Sequence, residues 1–138
     1  NRTLLTGAVA CLMAGCAHEP MNLATAPAVP MARVTVPSML QRCADCGELI
    51  VARRPNLIGS ALGVHLAIDS QRVADLHLGE QVRLWVPAGR HALHVSAWNV
   101  SSTDDQVVQI TPGSEHAYDV TWSALDLRLI PRPVQSQQ

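Results

Sequence analysis

The stretch CADCGEL at positions 43–49 places Cys43 and Cys46 two residues apart, with an acid between them and a glycine after. That spacing serves three chemistries: half of a tetrahedral zinc site, a thiol–disulfide redox centre, or a short disulfide staple. Zinc needs two further ligands. There is no second Cys-x-x-Cys, so they would come from His65, His77, His91, His94 or His116. A thioredoxin-like redox pair opens a helix after a strand, whereas here the motif runs directly into Glu48-Leu49-Ile50-Val51, a strand pattern. Gly47 stands where a c-type haem motif requires histidine. The staple needs only an oxidising compartment, and closing so short a loop contributes on the order of 2 kcal/mol. The expectation is a Cys43–Cys46 disulfide with no metal and no other cofactor.

The remaining polar and aromatic residues suggest recognition rather than catalysis. His91 and His94 are three apart, and on a strand they point to opposite faces. Pairing QVRLWV (81–86) with HALHVSAW (91–98) through the PAGR turn would set Leu84 beside Leu93 and Val82 beside Val95 in the core. Arg83 would then face His94 on the opposite side, with Trp85 beside them and Trp98 further along. Arg83, Trp85, His94 and Trp98 form a candidate patch for an envelope protein, a peptide or a glycan. The competing reading covers this face with another segment, or lays Trp85 flat on the sheet. Tyr118 and Trp122 share the parity of Val120 and are expected in the core. No G-x-S-x-G, H-E-x-x-H, glycine-rich phosphate loop or evident carboxylate pair is present, so an enzyme is not expected.

The compartment is written in the first sixteen residues. Arg2 is a minimal positive region, and Leu4 to Gly15 is an uncharged apolar run, too short for an ordinary membrane span. It ends in Met13-Ala14-Gly15-Cys16, which resembles the bacterial lipobox: a bulky apolar residue, two small ones, then cysteine. Met13 replaces the more usual leucine. The resemblance implies a signal peptide over 1–15, cleavage before Cys16, and acylation of Cys16 as a covalent membrane anchor. Processing removes Cys11 and leaves Cys43 and Cys46 as the one pair of thiols. Ala17, rather than Asp, after the lipidated cysteine implies sorting to the outer membrane, facing the periplasm.

These residues need elements to hold them. From 16 to 42 the chain is Pro- and Ala-rich, with Pro20, Pro27, Pro30 and Pro37 breaking any helix, and reads as an extended tether. Two dozen residues of polyproline-like chain could reach roughly 70 Å. ARVTV at 32–36 could form a first strand. Beyond Gly47, short apolar alternations recur between turn signals: ELIVARR, VHLAID, RVADL, QVRLWV, HALHVSAW, QVVQI, EHAYDVTW and LDLRLI, with NLIGSALG (56–63) as a small-residue loop or a bulged continuation of the first of them. This predicts an all-β domain over 43–131, a small antiparallel β-sandwich of seven or eight short strands, and a polar tail over 132–138. Phenylalanine is absent, so Val, Leu, Ile and Ala must build the core. The formal net charge is −1, which gives no electrostatic case for nucleic acid.

The elements Ile68-Asp69-Ser70, Val73-Ala74, Gly79, Pro87-Ala88-Gly89 and His91 to Val95 resemble the turn-and-strand pattern of PEGA-type domains and related lipoprotein domains. Ser70 stands where that pattern usually has glycine. The resemblance implies a non-catalytic binding or spacer module. The overall expectation is a lipid-anchored accessory protein of the bacterial cell envelope. The alternative is a periplasmic metal-binding or thiol-redox protein centred on Cys43 and Cys46. Cys16→Ser should abolish incorporation of labelled fatty acid in cells; label retained by that variant would remove the anchor.

Overall fold

The computed structural model describes residues 21–55, 62–98, 100–101, 105–123 and 126–133. The expected signal segment, Cys16 and most of the 56–63 loop lie outside the described residues. Among the described residues nine strands build the fold: β1 Cys46–Arg53, β2 Val64–Ile68, β3 Gln71–Leu76, β4 Gln81–Pro87, β5 Gly89–Ala97, β6 Val100–Ser101, β7 Gln106–Ile110, β8 Glu115–Trp122 and β9 Leu127–Pro131. They form a small β-sandwich, as the alternating patterns predict. The front sheet runs β4-β1-β8-β9; the back sheet runs β3-β2-β5, with β6 and β7 both on the far side of β5. All pairings are antiparallel except β1 with β8, which is parallel.

Alternation assigns each strand its inner face. Val64, Leu66 and Ile68 on β2 and Leu93, Val95 and Ala97 on β5 are buried against Leu49 and Val51 on β1 and Val82, Leu84 and Val86 on β4. Tyr118 and Val120 join this core, and Trp122 packs against it. The β2–β3 turn has Asp69 at φ 50 and Ser70 at φ 68. Both central residues are thus left-handed, as a type I′ hairpin requires, although neither is glycine.

Two expected arrangements are corrected. First, β4 and β5 do not form a hairpin. At Pro87-Ala88-Gly89 the chain crosses from the front sheet to the back sheet, with Gly89 at φ 137, a conformation open to glycine. Leu84 and Leu93 both face the core, but from opposite sheets. β4 pairs with β1 instead, Leu84 opposite Leu49, and β5 pairs with β2.

Second, residues 21–42 are not a free tether but a strap on the sandwich. Ile50 and Ala52 point away from the core, yet both are buried. The strap covers that side. Gln81 Nε2 donates to the carbonyls of Leu23 and Ala26, and Arg132 Nη2 donates to the Met21 carbonyl at 2.7 Å. The strap then rounds the open side of the sandwich, where Val29 and Val34 enter the core. It bridges to β4 at Ala28 and to β3 at Val34, so the free edges of both sheets are occupied there. In place of the strand expected over 32–36 it forms two 3-10 turns, Met31–Arg33 and Pro37–Leu40. Arg33 grips Glu80 with both nitrogens at 2.6 Å. Arg132, expected in a polar tail, is likewise structural: it and Arg54 hold the buried carboxylate of Asp119. No helix among the described residues is long and apolar enough to cross a membrane.

Gly47 is where the β7–β8 turn presses on the start of β1. An added Cβ would lie 2.7 Å from Ser114 Oγ, 2.8 Å from Ile110 Cγ2 and 2.9 Å from the Thr111 carbonyl oxygen. Backbone cannot yield there cheaply, because Glu48 N–H donates to the Ser114 carbonyl and Gly113 N–H to that of Cys46. Gly47→Ala should therefore lower the unfolding free energy by about 1–3 kcal/mol in urea titration, at unchanged m-value.

Candidate functional site

An open cleft of about 360 Å³ lies on the outer side of the front sheet, between the Cys43–Cys46 turn and Trp85. Cys43 and Cys46 are paired as a disulfide, with Cα atoms 5.2 Å apart. Cys46 is buried where β1 begins, while Cys43 is exposed. Glu48 and Trp85 are directly opposite on β1 and β4. Arg83, two residue pairs further along, donates from Nη1 to Glu48 Oε1 at 2.9 Å. Arg42, at the end of the strap, lies over the Trp85 ring with its guanidinium carbon 4.8 Å from the centroid. Glu115, opposite Glu48 on β8, closes the far wall. The cleft thus offers an aromatic face, the Arg42 guanidinium and two carboxylates, with Arg83 beside it on Glu48, a set suited to noncovalent recognition.

The expected patch is divided by the β4–β5 crossover. Arg83 and Trp85 remain together on the front sheet. His94 lies on the outer face of the back sheet, with Nδ1 2.5 Å from Asp105 Oδ1, and Trp98, 73% exposed, follows β5. The residues missed in the sequence are Arg42, which reaches Trp85 only because the strap folds back, and Glu115, brought in by the parallel β1–β8 pairing. The histidines that a zinc reading would need beside Cys43 and Cys46 are not among the cleft residues. His65 pairs with Asp75, His91 with Asp69, and His94 with Asp105. The thiol pair opens a strand rather than a helix, so no helix N-terminus is available to stabilise a thiolate.

Register also lines up Asp75, His65 and Ser96 across β3, β2 and β5. Those are the residue types of a charge-relay triad. His65 Nδ1 meets Asp75 Oδ1, but the hydrogen bonds among the described residues do not continue from the ring to Ser96. Backbone N–H groups in a sheet lie in its plane, so the paired strands aim no backbone oxyanion donors out of this face.

His91 is a different kind of site. Its Nδ1 lies 2.6 Å from Asp69 Oδ2 and its Nε2 2.7 Å from the Pro87 carbonyl oxygen. Two acceptors flank one ring, so both nitrogens donate when the ring is protonated. Burial works against that charge, but the bonds to Asp69 and Pro87 outweigh it and hold the His91 pKa above the ordinary value. The Ala92 N–H and then the His91 ring hold the Asp69 carboxyl below its own. The histidine contribution is complete below about pH 6.5 and fades as pH rises through its raised pKa. The aspartate contribution is complete above about pH 3.9 and fades on acidification. The clasp between the β2–β3 turn and the sheet crossover is therefore strongest between these values. Asp69 is half exposed, so the stability difference between wild type and His91→Phe should shrink by only about 0.5 kcal/mol from pH 5.5 to pH 8. Paired urea titrations at the two pH values check this.

Compared with protein-family models, curated proteins and solved structures, the chain matches none.

Proposed function

We propose that the chain is a lipid-anchored protein of the bacterial cell envelope, held at the outer membrane and facing the periplasm, whose sandwich is a non-catalytic binding module. The observation that carries the binding reading is the Trp85 cleft: an indole face stacked by Arg42, flanked by the Arg83–Glu48 pair and floored by a disulfide-pinned turn. Trp85, Glu48 and Glu115 are fixed on β4, β1 and β8, and the disulfide pins the turn beside them, which lowers the ordering cost of binding. The ligand class that fits is an extended peptide or a protein loop offering a flat polar group to the indole and a charged group to the arginines or Glu115. The PEGA-like turn spacing, with its implied spacer or binding role, supports the same class of function.

A second reading, thiol–disulfide exchange at Cys43 and Cys46, is favoured by one observation: Cys43 is exposed while Cys46 is covered. Intact-mass spectrometry of protein exported from cells, with and without alkylation, separates the two. A disulfide that resists catalytic amounts of a periplasmic dithiol supports the staple; rapid reduction and reoxidation supports exchange. For the binding reading, a photo-crosslinker at Arg83 should capture an envelope partner. Trp85→Ala should weaken that partner's affinity by at least about tenfold, as expected for a central aromatic anchor. Unchanged affinity would move the site elsewhere.

A further inference from the structure

The strap changes what a lipid on Cys16 would do. We infer that the outer face of the front sheet rests against the anionic lipid surface to which the chain is anchored, an inference that stands on the lipid-anchor reading of Cys16.

Two independent observations lead there. The first is reach. Met21 is not at the start of a long spacer; its carbonyl is held by Arg132, and the chain that follows is bound to Gln81 at Leu23, Ala26 and Pro27. Five peptide steps separate Cys16 from Met21, so at full extension they span at most about 18 Å. The sheets of a sandwich are about 10 Å apart before outer side chains are added, so this leash is shorter than the domain is wide. An acylated Cys16 therefore brings the face that carries Met21 to the headgroups and leaves the back sheet facing away.

The second observation is charge display. In three ion pairs on the outer face of the front sheet the arginine is the exposed member and the carboxylate the covered one, while in Arg132–Asp119 both are largely covered. Side-chain exposures are 35% against 2% for Arg54 and Asp119, 49% against 18% for Arg83 and Glu48, and 59% against 17% for Arg128 and Asp126. Glu115, at the cleft, and Asp45, in the Cys43–Cys46 turn beside it, are exposed acids on this side. On the back sheet the order reverses for His91–Asp69 and His94–Asp105, and Arg72 and Arg90 leave that face mixed. A face that covers its carboxylates and displays its guanidinium groups complements anionic headgroups. The Trp85 cleft lies on the same face, so the binding module meets its ligand at the bilayer surface rather than deep in the periplasm.

The test uses the mature lipidated protein in vesicles of phosphatidylethanolamine, with or without phosphatidylglycerol, carrying a nitroxide headgroup quencher. With Cys16 acylated and Cys43–Cys46 oxidised, an introduced cysteine is the single free thiol for a dye. Ile130→Cys labels the front face and Val107→Cys the back, both at exposed strand positions. Should either perturb thermal unfolding, Thr121→Cys and Gln109→Cys serve in their place. The front dye should be quenched severalfold more than the back dye. The contrast should grow with phosphatidylglycerol and shrink with salt. A flexible insertion of about 20 residues between Pro20 and Met21 should erase it. Equal quenching of both dyes on protein that mass spectrometry finds acylated at Cys16 overturns the docking and leaves the anchor intact. An unmodified Cys16 overturns both.

Discussion

Beyond Glu48, strand β1 has no face to give to water. Leu49 and Val51 fill the core between the sheets, while Ile50 and Ala52 on the other side are equally buried. A strand buried on both faces is ordinary where helices cover a sheet, but here the covering layer is the strap of irregular chain. Much of the architecture follows from that demand. The strap must cross the front sheet, so its carbonyls need donors, and Gln81 and Arg132 supply them. Having crossed, it rounds the edge, contributes Val29 and Val34 to the core, and returns to deliver Arg42 to Trp85. The Cys43–Cys46 turn then fixes the point at which this covering layer becomes β1 itself.

The basic residues share in this work. All ten are arginine, and several join elements distant in sequence. Arg33 closes on both oxygens of Glu80; Arg132 holds Asp119 through Nε and the Met21 carbonyl through Nη2; buried Arg53 donates to the Leu76 and Leu62 carbonyls and lies over Trp122. A planar fork with several donors can serve two partners at fixed angles, which a single ammonium on a flexible stem does less well. Asp119 shows the corresponding constraint on the acid side. Buried at the front sheet, it is tolerated because Arg54 and Arg132 meet both of its oxygens.

Strand faces were legible in the sequence and strand neighbours were not. The alternation in VHLAI, QVRLWV and HALHVSA names the inward residues correctly, since period two is a property of a single strand. It carries no information about which strand lies alongside, so Leu84 and Leu93 read as a hairpin pair although they face each other from opposite sheets. That substitution of arch for hairpin is also what separated Trp85 from His94 and Trp98. The strap was misread for a related reason. Its prolines do keep it from forming a long helix, but extended chain is not detached chain, and the apolar Val29 and Val34 between those prolines mark where it docks. Unbroken Leu49-Ile50-Val51-Ala52 was the clearest available sign that something had to cover the front sheet. At the cleft, Trp85 and the disulfide were legible; Arg42 and Glu115 depend on the strap and on a parallel pairing that no local pattern specifies.

The contact between Arg132 and Met21 joins residues 111 positions apart. It makes the two outer segments of the domain mutually dependent: the strap that covers β1 is fastened by a side chain just beyond β9. β1 also takes its parallel neighbour from β8, late in the chain. During synthesis the N-terminal segment emerges first, yet its seat is incomplete until the last strand has followed. Such long-range closure favours slow, concerted folding over sequential assembly. For that interval Ile50 and Ala52 are without their cover, and the growing chain carries an unfinished, adhesive sheet.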